Sequence, residues 1–276
     1  MDSSGRSTCT HTLSVGADVS QLRWDPSDSS SLATLSGDKT LRRWDLRSKA
    51  ATGSASLSCE YINMAWSPCG AHVAVSSALG DKGGPHKDSV TLVDAKTFAV
   101  VAKRPFECEV NECVWADSSH LLLTTEHGTV EVHRYDPASG ALEKKAAVVA
   151  HTGDCFSIAV HPGTRKLAVG SKDSLVSVWA LDDLVCEEVI PTHATPVRSV
   201  SFSANGKFVA SSAYDTSVAV HRADKGCKLM AAIDTGSIST ICAFHPTKPL
   251  VAWAVESKSM DRTGFVKIAD LSKVLR

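Results

Sequence analysis

The chain carries no excess of charge of either sign: 29 lysines and arginines stand against 30 aspartates and glutamates, a formal net charge of −1 over 276 residues. Sequence-independent grip on a nucleic acid comes from neutralising phosphates, so this balance argues against direct RNA or DNA binding by the chain as a whole. No apolar run approaches the roughly 20 residues that span a bilayer, and Met1-Asp2-Ser3-Ser4-Gly5-Arg6-Ser7 lacks the apolar stretch of a secretory leader. A cytosolic or nuclear protein without a membrane partner is expected. The nine cysteines (Cys9, Cys59, Cys69, Cys108, Cys113, Cys155, Cys186, Cys227, Cys242) include no C-x-x-C pair, and an odd number cannot all pair within the chain. Strand-like settings such as Ile241-Cys242-Ala243 mark most of them as buried free thiols rather than metal ligands. No Gly-x-Ser-x-Gly elbow is present. Gly80-Asp81-Lys82-Gly83-Gly84 lacks the spacing of a phosphate loop and the Ser or Thr that would hold magnesium. No catalytic residue, metal, cofactor or small-molecule substrate is therefore expected.

What the chain does have is a period. An aromatic residue or Val, usually followed by Pro, Ser or Asp, recurs at Trp24, Trp66, Trp115, Val160, Phe202 and Phe244, separated by 42, 49, 45, 42 and 42 positions. A second landmark follows each at Trp44-Asp45, Val93-Asp94, His133-Arg134, Trp179-Ala180, His221-Arg222 and Ile268-Ala269. Between the two lie an apolar strand, a tight polar turn and another strand, as in Leu32–Leu35, Ser36–Thr40 and Leu41–Trp44. The same grammar returns at 166–179 and 208–220. This is the WD40 pattern, and it predicts an all-β WD40 β-propeller of six visible repeats. Residues 1–10 are read as a disordered N-terminal segment and 11–276 as the propeller domain.

A single four-stranded blade cannot bury both faces alone, so each needs a neighbour. Short β-branched strands supply the apolar faces, and Gly, Asp, Asn and Ser supply the turns. WD40 repeats commonly link a His before the first strand, a Ser or Thr in the second, an Asp in the turn and a Trp in the third by hydrogen bonds. His151, Ser171, Asp173 and Trp179 fit that arrangement best. The same residue types could suggest a nucleophilic triad, but they fall on repeat positions and lack a strained elbow for the Ser. His161 and His245 precede Pro at repeat turns, and His133 and His221 replace a landmark Trp, so scaffold roles are expected for them.

Two insertions, 79–88 and 256–264, lengthen the second and sixth repeats, and loops on a rigid frame are where binding residues gather. The acidic pairs Asp182-Asp183 and Glu187-Glu188 read as a solvated connector. For partner contact, the geometric candidates lie four positions before each anchor, where the innermost strand opens: Ser20, Ile62, Asn111, Phe156, Arg198 and Thr240. Asn111, Phe156, Arg198 and Thr240 are the partner-binding expectation, with Phe156 and Arg198 foremost because aromatic and Arg side chains dominate interface hot spots.

Several stretches go beyond the general pattern. Leu35–Asp45, Val93–Thr97, Phe106-Glu107-Cys108-Glu109-Val110-Asn111-Glu112, Leu175–Trp179, Asp183–Cys186, Pro196–Ser203 and His245–Leu250 resemble the THO complex subunit 3 family, in order, from about residue 18 to about 270. The resemblance implies a non-enzymatic scaffold subunit of the nuclear THO/TREX assembly, which couples transcription and processing to export of messenger RNA. Its partners would be other THO/TREX subunits, with RNA met only indirectly through the complex. Another nuclear WD40 adaptor, serving a chromatin-modifying or ubiquitin-ligase complex, is the alternative. The family resembles a seven-bladed ring, whereas six repeats are visible here. Either His11–Val15 pairs with the last repeat and closes six blades, or a seven-bladed fold lacks its first blade, since unpaired edges are avoided.

Overall fold

A computed structural model describes residues 12–58, 61–77, 89–161, 163–224, 226–256 and 264–273. Among these residues the chain forms strands and turns and no helix. The first sheet is β1 (Val19–Trp24), β2 (Ser31–Ser36), β3 (Thr40–Asp45) and β4 (Ala50–Ser56). The second is β5 (Tyr61–Trp66), β6 (His72–Ser77), β7 (Ser89–Asp94) and β8 (Val100–Pro105). Then come β9 (Val110–Trp115), β10 (His120–Thr125), β11 (Thr129–Asp136) and β12 (Ala141–Val149). The fourth sheet is β13 (Cys155–His161), β14 (Lys166–Ser171), β15 (Val176–Ala180) and β16 (Val185–Ile190). The fifth is β17 (Val197–Phe202), β18 (Phe208–Ala213), β19 (Ser217–Arg222) and β20 (Leu229–Asp234). The sixth has three strands, β21 (Cys242–Phe244), β22 (Leu250–Glu256) and β23 (Gly264–Asp270). Every sheet is an antiparallel meander in chain order, which is the blade of an all-β WD40 propeller.

The chain divides into two compact units, Met1–Glu107 with two sheets and Cys108–Arg276 with four. In the first unit an apolar layer of Leu35, Leu41, Tyr61, Met64, Val73 and Val75 lies between the two sheets. In the second unit, layers built on Leu122, Ile158 and Leu167, on Val178, Val200 and Val209, and on Val220, Val251 and Trp253 fill the three successive gaps. The strands differ in depth accordingly. β2 and β18 are buried along their whole length, and their sequences, SLATLS and FVASSA, accordingly mix apolar side chains with small hydroxyls, carry no charge and show no alternation. The fourth strands are the exposed edges and carry charge, as in the Glu143-Lys144-Lys145 of β12 and the Glu187-Glu188 of β16, which discourages edge-to-edge pairing. Lys166 bonds Glu187 at 2.9 Å and Arg165 bonds Asp182, so half of each acidic pair is tied back to its own sheet.

A bulge recurs at one place. β1 skips a partner between Val19 and Gln21, β5 between Tyr61 and Asn63, β13 between Cys155 and Ser157, and β17 between Val197 and Ser199. In β9 the register slips across Asn111 in the same way. Residues 1–11, 79–88 and 257–263 lie outside the described residues, and with them both expected insertions and His11 of the expected closing strand. Residues 12–15 belong to no strand, and β23 has no further strand beyond it among the described residues.

Candidate partner-binding face and its hydrogen-bonded supports

The bulged residues are Ser20, Ile62, Asn111, Phe156 and Arg198. An extra residue unpaired in the ladder re-aims its side chain, and here it does so at the second position of five first strands. Thr240 is not bulged; it precedes the short β21 and is exposed. Asn111 donates from Nδ2 to the Cys155 carbonyl at 3.1 Å, which ties β9 to β13. Phe156 and Arg198 come together: the guanidinium carbon of Arg198 lies 4.3 Å from the Phe156 ring centroid and 5.6 Å from that of Tyr214. Tyr214, in the turn between β18 and β19, is a residue that the periodic reading missed, because only the fold brings that turn to the start of β17.

First strands of neighbouring sheets are joined by side chains, not by ladders. Within the second unit, Ile158 N donates to Glu112 Oε2 at 2.9 Å, Val200 N to Ser157 Oγ at 3.2 Å, and Phe244 N to Ser201 Oγ at 3.0 Å. Ser199 Oγ donates to the Cys242 carbonyl at 3.1 Å and accepts from the Cys242 amide at 3.2 Å. These bonds satisfy backbone groups of the first strands that point away from the single ladder partner of each strand. They also fix the spacing of the re-aimed side chains.

Behind this face sit two hydrogen-bonded chains. In the fourth sheet, His151 Nδ1 lies 3.0 Å from Asp173 Oδ2, His151 Nε2 lies 2.8 Å from Ser177 Oγ, and Trp179 Nε1 donates to that same hydroxyl at 2.6 Å. The hydroxyl in the middle is thus Ser177 of β15 and not Ser171. Ser171 flanks the chain, accepting from the Asp173 amide at 3.2 Å and donating to the Gly153 carbonyl at 3.2 Å. The reason is register. In the first sheet Trp44 pairs with Leu32, and Thr34, two residues on, takes the indole N–H at 2.9 Å. The same position in the fourth sheet is Val169, which cannot accept, and its cross-strand partner is Ser177.

The fifth sheet repeats the arrangement: His193 Nδ1 meets Asp215 Oδ2 at 3.0 Å, and His193 Nε2 meets Ser211 Oγ at 2.9 Å. Sequence reasoning missed it, although both pairs share a 22-residue spacing, because His221 stands where the search sought a Trp. Burial alone would raise the Asp215 carboxyl, but hydrogen bonds from His193 and Ser217 outweigh it and hold the group below its ordinary value. Asp173 is held low in the same way, against burial, by its interaction with His151 and the Leu175 amide. Each carboxylate is spent on orienting a histidine, and each hydroxyl is buried, so neither set presents a nucleophile to solvent. Among the described residues no group of three His, Cys, Asp or Glu is placed to hold a metal. Cys155 is pushed up to about 12, and Cys227 and Cys242 to about 11, chiefly by burial. The thiolate is the reactive form, so these three are chemically quiet.

The family model of the WD domain, G-beta repeat, matches residues 7–45, 143–180 and 184–222. THO complex subunit 3 of Arabidopsis thaliana is 36% identical over 242 residues, which cover 87% of this chain and 73% of that protein. The chain belongs to the THO complex subunit 3 family. WD repeat-containing protein AAC3 of Dictyostelium discoideum is 26% identical over 253 residues, 91% of this chain and 51% of that protein, so the chain spans about half of it. A chain in the crystal structure of the mitotic checkpoint complex aligns with a TM-score of 0.73 at 15% identity, over 90% of this chain and 75% of that one, and shows the fold alone.

Within this THO complex subunit 3 family member, His221 is expected to make the fold less stable in acid. It is 3% exposed, its Nε2 lies 2.7 Å from Thr192 Oγ1, and its Nδ1 has no hydrogen-bond partner among the described residues. A second proton would leave a buried N–H unsatisfied. Burial first, and the charge of His193 second, lower its pKa from 6.5 to about 4. The unfolded chain takes up that proton near 6.5 and the folded chain does not. The contribution of His221 is therefore whole above 6.5 and is lost as pH falls from 6.5 to 4, by at most about 3 kcal/mol. Urea unfolding at pH 7.5, 6.5, 5.5 and 4.5 should show this slope, and His221→Phe should flatten it. Glu131, lowered to about 2 chiefly by its bond from His133, adds its own loss only below about 4.5.

Proposed function

We propose that the chain is a non-enzymatic scaffold subunit of a nuclear THO/TREX assembly. It holds other subunits by protein–protein contacts and so serves the coupling of transcription and processing to messenger-RNA export. The observation that carries this reading is the 36% identity to THO complex subunit 3 over 87% of the chain. Two features of the chain support it. A net charge of −1 suits a subunit that meets RNA through its neighbours. The re-aimed row of Asn111, Phe156 and Arg198, held on bonded strands, suits the rigid presentation of contact residues.

The test is recovery of partners. Tagged chain purified from nuclear extract is expected to bring down the other THO subunits in near-stoichiometric amount, read by mass spectrometry. Recovery of chromatin-modifying or ubiquitin-ligase subunits in their place would assign the chain to another nuclear adaptor.

A further inference from the structure

Arg198 differs from the other arginines of its surroundings. Arg165 pairs with Asp182 and Arg222 with Asp224, each a surface guanidinium neutralised by a carboxylate. Arg198 has no carboxylate and no hydrogen-bond acceptor among the described residues, and its contacts are the faces of two rings, Phe156 at 4.3 Å and Tyr214 at 5.6 Å. Stacking uses the faces of a guanidinium and leaves its five in-plane N–H donors free. The Tyr214 hydroxyl likewise has no partner among the described residues, and Tyr214 is 46% exposed. The spot therefore offers unpaired donors and a positive charge that no carboxylate among the described residues neutralises.

Its construction is specific. Phe156 and Arg198 are the extra residues of matching bulges in β13 and β17, and the Val200 amide bonded to Ser157 Oγ sets the two strands side by side. Tyr214 is brought in by its amide, which donates to the Pro196 carbonyl at 3.1 Å. On the other flank, Ser199 exchanges two bonds with Cys242, which brings β21 alongside, and the preceding Ile241 is 52% exposed. A guanidinium already stacked has lost much of its rotamer freedom before any ligand arrives, so pairing it incurs less further ordering.

We propose that Arg198, held between Phe156 and Tyr214, receives a carboxylate from an acidic segment of a protein partner, with apolar neighbours of that carboxylate resting on Tyr214 and Ile241. Charge complementarity selects an anion. A planar fork with an open edge suits a bidentate carboxylate. RNA fits less well: a phosphate backbone is held by several cations at once, and the Phe156 face that would stack a base is taken by the guanidinium. The inference rests on the scaffold reading above and adds the chemistry of the bound segment.

The experiment uses the purified full chain and displayed random 12-residue peptides. Selected peptides are expected to be enriched in Asp or Glu over the input pool. A selected peptide should lose at least tenfold in affinity for Arg198→Ala, and a similar factor for Arg198→Lys, which keeps the charge but not the fork. Changing its key Glu to Gln should cost the wild type the same factor and cost the Arg198→Ala variant nothing more. Unchanged unfolding midpoints would show that both variants fold. Absence of any selected peptide, no acidic enrichment, or equal binding by the variants would overturn the proposal, as would displacement of the peptide by a uridine 12-mer that depends on Arg198. In nuclear extract, wild type and Arg198→Ala recovering the same THO subunits in equal yield would sink this inference and leave the scaffold reading standing.

Discussion

Ser177→Ala is expected to destabilise the second unit by about 2–4 kcal/mol, while Ser171→Ala at a nominally better family position costs about 1 kcal/mol or less. Ser177 is 1% exposed, and its hydroxyl is shared by His151 Nε2 at 2.8 Å and the Trp179 indole at 2.6 Å. Removing it strands two ring nitrogens in a site that water does not reach, and each buried group without its bond is unfavourable by roughly 1–3 kcal/mol. Ser171 is buried too, but its bonds from the Asp173 amide and to the Gly153 carbonyl are both long, at 3.2 Å, and both partners belong to half-buried residues at the end of the sheet. A third variant separates register from simple loss of a hydroxyl. Val169 faces Ser177 across the ladder, at the position that Thr34 occupies in the first sheet. Val169→Thr in the Ser177→Ala background should restore a hydroxyl from the neighbouring strand and recover more than half of the loss. Denaturant midpoints of the four proteins decide it; equal loss from Ser171→Ala and Ser177→Ala would show that the register argument fails.

The fold was legible because a repeat writes the same physical instruction several times. Turn residues and β-branched runs recurring every 42 to 49 residues leave few alternatives to stacked meanders, and each of the six anchors lies in or at the end of a first strand: Trp24 ends β1, Trp66 ends β5 and Phe244 ends β21. The candidate face was legible in part for the same reason. Counting back four positions from an anchor reaches the bulge in five sheets, although nothing in the residue types announces a bulge. Arg198, Phe156 and Ser20 share only their place in the ladder.

What the period could not show was the pairing across strands. A search for Ser or Thr along β14 finds Ser171 and passes over Val169, because the acceptor has moved to the facing residue of β15, a swap invisible to a pattern read along one strand. His193 and Asp215 escaped because the pattern was anchored on Trp, and in the fifth sheet the landmark is His221, which bonds Thr192 instead of the serine. Tyr214 escaped because contact between a turn and the strand beside it depends on how neighbouring strands are staggered. In each case the missing information was tertiary, and the residues themselves were plain in the sequence.

Gly128→Ala is expected to be among the most damaging single methyl additions in the chain, at least about 3 kcal/mol. Gly128 sits in the β10–β11 turn with φ +72°, a conformation in which any Cβ is strained. Strain is the smaller part. The added Cβ would lie 2.2 Å from the His151 carbonyl oxygen and 2.9 Å from that of Gly153, and neither backbone atom is free to move away. The Gly128 carbonyl accepts from the Ala150 amide at 2.8 Å and the His151 amide at 3.1 Å, so this turn is what sets His151 in place at the head of its chain to Asp173 and Ser177. Pushing the turn away would break those two bonds and tilt the imidazole from both partners. Gly236→Ala is the matched control: its φ is +75°, yet nothing lies within 4 Å of the added carbon, so only the conformational strain of about 1 kcal/mol applies. If Gly128→Ala unfolded no more easily than Gly236→Ala, the close approach of the turn to His151 would have no energetic weight. If it unfolds far more easily, and Ser177→Ala adds little on top of it, the turn and the histidine chain act as one unit.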